Sequence, residues 1–177
     1  VLLEMARVFR RYVQEGGTGE HPRRSVLFAA WGAEEEGLLG SCHYVFVDPA
    51  VPITRTRALL NFDMVGRLRD DVLVVSGGET SKAWAALLPN SNSLGLNLIR
   101  PATSAPSGTD HACFWQASVP WAGFFTLTHP QYHRPTDDVS LLNVPGMARI
   151  GDLALRVLTR LVVMPDGPVF VGPAPSR

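Results

Sequence analysis

The sequence has little that would draw it to a charged or lipid partner. Its 177 residues carry 16 Lys and Arg against 16 Asp and Glu, a formal net charge of zero. That balance lacks the basic footprint needed for nucleic acid or an anionic membrane surface, so neither is expected as a partner. No apolar run approaches the roughly 20 residues of a membrane span, and no span is expected. Cysteine is scarce, with only Cys42 and Cys113 present. Their spacing is not of metal-binding type, and two cysteines settle neither the redox compartment nor whether they pair. No signal peptide is expected within these residues, because Val1 opens inside an amphipathic pattern of Val1, Leu2, Met5, Val8, Phe9 and Val13. Nothing of capping type precedes that helix. The chain therefore reads as a fragment or processed piece of something longer.

What is present suits one domain. The residues are 46% hydrophobic, and the length is enough to bury a sizeable core. The first helix is expected over residues 1–12, followed by a glycine-rich exposed loop in which His21 is a surface residue. Residues 25–31 form a near-continuous apolar run, as in a strand buried on both faces. A short helix is expected over 37–46, ended by Pro49 and Pro52. Strands are expected over 58–64, 72–75, 96–99 and 119–126. Ser81 is placed to cap a helix through Trp84 and Leu88, and a short helix is expected over 110–116. A long amphipathic helix is expected over 144–163, with Pro145 in its first turn. Residues 1–164 form the domain, and the Pro- and Gly-rich residues 165–177 read as a tail or linker. Strands alternating with helices imply an α/β sandwich around a mostly parallel sheet.

Ligands of such folds collect beyond the carboxyl ends of the strands. Three polar groups lie at such ends here: Glu34, Glu35 and Glu36 after one strand, Asp63 closing another, and His129 with His133 after a third. Two carboxylates and an imidazole are a good ligand set for Zn²⁺. Adjacent glutamates diverge from the backbone, so one can hold a metal while the other acts as a general base. Metal-assisted amide hydrolysis is the chemistry this set suggests. Taken singly, each residue also has a plain structural reading. The acidic run is equally a solvated first helical turn. Asp63 is equally a turn or capping residue, and His133 an ordinary loop histidine.

Four segments in order resemble a known family. The stretch from Ser25 through Trp31-Gly32-Ala33-Glu34-Glu35-Glu36-Gly37-Leu38-Leu39-Gly40-Ser41 is similar to the co-catalytic di-zinc aminopeptidases. That family includes secreted bacterial aminopeptidases, glutamate carboxypeptidase and the transferrin-receptor ectodomain. Asn61-Phe62-Asp63-Met64-Val65-Gly66, Ser107-Gly108-Thr109-Asp110-His111 and Tyr132-His133-Arg134-Pro135-Thr136-Asp137-Asp138 resemble its other motifs, with Thr109 in place of serine. The resemblance implies a three-layer, phosphorylase/hydrolase-like zinc peptidase fold lacking its N-terminal part. It implies Glu34 as general base, Glu35 and His133 as ligands of one zinc, and Asp63 as a ligand of a second. Tyr132 would polarise the scissile carbonyl or steady the tetrahedral intermediate. Asp110 and His111 would shape the site from behind the ligands.

The same resemblance places a histidine ligand and a bridging aspartate upstream of Val1. Neither is in this chain, so weak zinc binding and little or no turnover are expected of it alone. A missing upstream strand pair would leave an exposed sheet edge. The expected activity of the whole is a secreted or periplasmic aminopeptidase acting on peptides. Competing readings are a non-catalytic scaffold like the transferrin receptor, or carboxydipeptidase or glutaminyl cyclase chemistry on the same fold. An acidic-substrate pocket would need arginines, for which Arg67, Arg69 and Arg134 are the local candidates. Trp115, Phe124 or Phe125 would wall a pocket for large apolar side chains.

Overall fold

Ile150, Leu153, Ala154 and Val157 recur at helical spacing and are fully buried. They form the inner face of the longest helix, α5 (Val144–Val163). Its start is set by Asn143, whose side-chain oxygen accepts from the Gly146 amide at 2.8 Å, and by a proline in the first turn. The computed structural model describes residues 1–17, 24–88, 91–104 and 108–172. The loop holding His21, Ser107 of the third motif and the end of the tail lie outside these residues.

α1 (Leu2–Gln14) buries Met5 and Phe9 and lies along α5, where Phe9 packs with Leu158 and Val162. Four strands follow in sequence: β1 (Leu59–Phe62), β2 (Val72–Ser76), β3 (Asn97–Ile99) and β4 (Trp121–Phe125). Their order across the sheet is β1-β4-β2-β3. β1 runs parallel to β4 and β2 parallel to β3, while β2 and β4 are antiparallel. The sheet is thus mixed, and the last strand in the chain lies between the first and the second. Leu73, Val75, Ala122 and Phe124 pack in one core with the inner face of α5.

A second core forms around α2 (Leu39–Phe46) and α4 (His111–Gln116), where Val45 and Phe114 pack with Val119, Leu59, Trp31 and Tyr44. Helices therefore cover both faces of the sheet, and the fold is an α/β sandwich. Cys42 and Cys113 join α2 to α4 in a disulfide with Cα atoms 5.2 Å apart. The helix after Ser81 is a short α3 (Trp84–Leu87). No helix among the described residues is long and apolar enough to cross a membrane.

One expected strand is absent. Residues 25–31 are extended but pair with no strand. They run beside β1 across a cavity of about 1040 Å³ lined by both segments. Val26 and Phe28 are half-buried against α1, α5 and Leu60, while Leu27 is exposed. A continuous apolar run says that a segment needs cover. It does not say that a hydrogen-bonding edge lies within reach.

The disulfide closes a loop with a sequence separation of 71, for which chain entropy gives a stabilisation of about 4 kcal/mol. Replacing both cysteines by alanine is expected to lower the unfolding free energy by roughly 3–4 kcal/mol in urea titrations. A loss below about 1 kcal/mol would show that the crosslink adds little beyond the packing of α2 on α4.

Candidate functional site

The first two carboxylates stand on a tight turn between residues 25–31 and α2. Ala33 takes a left-handed backbone, φ 54°, and the Glu34 carbonyl accepts from the amides of Gly37 and Leu38 at 3.1 and 2.8 Å. Gly40 closes the turn through its amide to Gly32 O at 3.0 Å. A Cβ at Gly40 would lie 2.5 Å from that same oxygen, so only glycine permits the approach. Glu34 is half-buried as a result, while Glu35 and Glu36 are exposed.

Asp63 follows β1, and its amide donates to Phe124 O at 3.3 Å. Its carboxylate accepts a hydrogen bond from Thr109, whose hydroxyl in turn accepts from the Asn61 side chain at 3.1 Å. Asp110 lies beside them, with Oδ1 buried and unpartnered among the described residues. Burial is the main cause that holds Glu34 above its ordinary carboxylate value, reinforced by the charges of Glu35, Asp63 and Asp110 and opposed by His133. Asp63 is also raised, again chiefly by burial, with Thr109 pulling the other way. Four carboxylates thus feel one another through poorly solvated space. His111 is buried behind them, stacked on Trp121 at 3.8 Å between ring centroids.

The fourth motif arrives from residues 127–138. His133 Nε2 lies 2.8 Å from Glu35 Oε1, joining residues 98 positions apart. Tyr132 stacks on the His133 ring, with centroids 3.8 Å apart, and its side chain remains partly exposed. Arg67 and Arg69 pin this loop. Arg67 Nη2 donates to Gln131 Oε1 at 2.5 Å and lies 4.0 Å from Asp137. Arg69 Nη2 donates to Thr128 O at 2.6 Å, and His129 Nε2 is 3.6 Å from Asp137.

The structure therefore brings Glu34, Asp63 and Asp110 into one electrostatic cluster and Glu35 onto His133. Oxygen donors with an imidazole match zinc chemistry, and a group of neighbouring carboxylates suits a cation. Among the described residues, however, no three His, Cys, Asp or Glu side chains are gathered closely enough to hold a metal ion. Arg67 holds the loop through Nη2, while its Nη1 is buried with no partner among the described residues. One expectation changes. Phe124 is sealed in the core, stacked on Phe62 at 5.0 Å, and walls no pocket. The left-handed residues Ala33, Met64 and His133, each at or next to a motif carboxylate or imidazole, carried no sequence signal, because none is glycine.

The raised carboxyls make a signed prediction. A folded pKa above the unfolded value contributes stability below the unfolded pKa and loses it as pH rises through the folded one. Glu34 and Asp63 should therefore weaken the metal-free chain as pH climbs from their ordinary values of 4.5 and 3.8. Glu34→Gln is expected to flatten the fall in urea midpoint over that range. Parallel curves for the two proteins would mean that Glu34 is not electrostatically crowded.

Comparison with known proteins places this arrangement. Residues 1–158 match Peptidase family M28. Aminopeptidase YwaD of Bacillus subtilis is 27% identical over 172 residues, which cover 92% of this chain and 36% of that protein. Leupeptin-inactivating enzyme 1 of Streptomyces exfoliatus is 32% identical over 112 residues, 61% of this chain and 24% of the enzyme. Among solved structures, BSAP, a zinc aminopeptidase from Bacillus subtilis, superimposes with TM-score 0.63 at 27% identity, covering 80% of this chain and 37% of that one. LapB from Legionella pneumophila has the same fold at TM-score 0.70 and 21% identity, covering 91% and 44%. The chain spans about a quarter to a third of the length of these two curated relatives, and with residues 1–158 matched it belongs to Peptidase family M28.

Proposed function

We propose that this chain carries part of the site of a zinc-dependent exopeptidase that removes N-terminal residues from peptides. The observation that carries the reading is the contact of His133 with Glu35 at 2.8 Å, beside the cluster of Glu34, Asp63 and Asp110. It joins the motifs that a metal would bridge. Glu35 and His133 would hold one zinc and Asp63 a second. Zinc, when bound, supplies Lewis acidity toward the scissile carbonyl. Glu34 takes a proton from the attacking water on its carboxylate and returns it to the leaving amine. A carboxylate held above its ordinary value, chiefly by burial, suits both transfers. Tyr132, stacked on His133 with its side chain partly exposed, donates its hydroxyl to the oxygen that gains charge. Asp110 and His111 hold the cluster from behind.

One feature refines the reading. The Cys42–Cys113 disulfide suits an oxidising compartment, either secreted or periplasmic.

The test uses a polypeptide extended to the length of the family relatives, assayed with a leucyl anilide and for zinc content. Glu34→Gln is expected to lower kcat by about 100-fold or more with metal content unchanged. His133→Ala is expected to lower zinc content. Wild-type turnover in the first variant removes Glu34 from the mechanism, and full zinc content in the second removes His133 as a ligand. A polypeptide that folds yet neither binds zinc nor cleaves would favour a non-catalytic scaffold.

A further inference from the structure

The segment after β1 and the loop before His133 enclose a cavity of about 390 Å³. Arg67 and Arg69 line it from the first, His129 and Gln131 from the second, and Leu141 and Asn143 complete the wall. None of Glu34, Glu35, Asp63, Tyr132 or His133 lines it. The cavity is therefore separate from the carboxylate cluster.

Two polar atoms on this wall have no partner among the described residues: Arg67 Nη1 and His129 Nδ1, both buried. The two side chains are only 11% and 5% exposed. A guanidinium is charged at any physiological pH, so its idle Nη1 presents buried donors with nothing to receive them. Leaving such donors bare away from water is costly. The side-chain acceptors beside them are already engaged. Gln131 Oε1 accepts from Arg67 Nη2 at 2.5 Å, and Asn143 Oδ1 accepts from the Gly146 amide at 2.8 Å.

Charge points the same way. Asp137 lies 4.0 Å from Arg67 Nη2 and 3.6 Å from His129 Nε2, and both distances exceed a hydrogen bond. Asp137 therefore does not hold the ring proton on Nε2, and Nδ1 is able to carry it as a donor. Arg69 adds a second permanent positive charge. Two fixed cations thus face one loosely placed carboxylate.

We infer that this cavity binds a compact oxyanion between Arg67 Nη1 and His129 Nδ1. The anion accepts from both and ties the loop at His129 to the segment after β1. It thereby steadies Tyr132 and His133, which follow His129 closely in the chain. The site is an effector site for a small anion, apart from any substrate groove. An ordered water is the smaller alternative. Its share of liquid volume is about 30 Å³, a small part of the cavity, and it brings no charge to offset the guanidinium. The inference rests on the geometry of this loop and does not depend on the peptidase reading.

The test titrates the 177-residue chain with phosphate, sulfate and acetate, with ionic strength held constant by chloride. Phosphate is expected to raise the thermal midpoint by about 3–6 °C at saturation. The rise should be half complete near about 1 mM, well below the concentrations at which salts stabilise proteins by exclusion. Hydrogen exchange at residues 128–133 is expected to slow about fivefold. Arg67→Lys keeps the charge but lacks Nη1, and should weaken phosphate binding about tenfold. Leu141→Glu sets a carboxylate on the cavity wall from an exposed position, and should remove the phosphate shift while the chain stays folded. A larger response to phosphate and sulfate than to acetate assigns a tetrahedral anion, and the reverse order assigns a carboxylate. Two results would overturn the inference: no saturable shift with any of the three anions, or an equal phosphate shift in Leu141→Glu. The first would leave the cavity to ordered water.

Discussion

Like charges held together in poorly solvated space are the constraint around which the rest of this molecule is arranged. Glu34, Asp63 and Asp110 come from three different segments, yet each raises the free energy of ionising another. Such a cluster disperses unless the backbone forbids it. Here the backbone does forbid it. The Gly40 approach to Gly32 fixes Glu34, β1 and the Thr109 hydroxyl fix Asp63, and α4 fixes Asp110. The disulfide ties the helix after the first carboxylate to the helix after the third. Positive charge is kept one layer back, in Arg67 and Arg69. There it steadies the loop of His133 without neutralising the cluster, which stays open to a cation.

Local backbone strain is found beside the motif side chains, as well as at Asp70, Asp71 and Ser118 elsewhere in the chain. Left-handed conformations at Ala33, Met64 and His133 each cost roughly 1–2 kcal/mol in a residue with a Cβ. Three such residues beside the motif side chains mean that the surrounding packing over-determines these turns.

Much of this was legible from periodicity and motif order. The α5 bounds, the four paired strands and the first helix follow from apolar spacing and proline placement, because burial and propensity agree there. Residues 25–31 read as a paired strand and are not, since hydrophobicity encodes a need for cover and pairing requires an edge within reach. The antiparallel placement of β2 against β4 was hidden too, as strand direction is set by connections rather than composition. The meeting of Glu35 with His133 was anticipated from family resemblance. The roles of Arg67 and Arg69 were not, because a guanidinium in a loop reads alike whether it binds substrate or carbonyls. The pairing of Cys42 with Cys113 lay open for the same reason, since sequence separation carries no distance.

The position of β4 bears on how the chain emerges from the ribosome. β4 is made after the other three strands of the described sheet, yet it lies between β1 and β2, so neither of those can join it until residues 121–125 have been synthesised. At roughly 5–20 residues per second, the β1 edge that β4 will occupy waits about 3–12 seconds. During that interval Leu59, Leu60 and Phe62 are open to any other nascent chain. The sheet then closes around its centre in a single late step, dominated by contacts distant in sequence. A topology of this kind ties yield to translation speed and chaperone cover as much as to final stability.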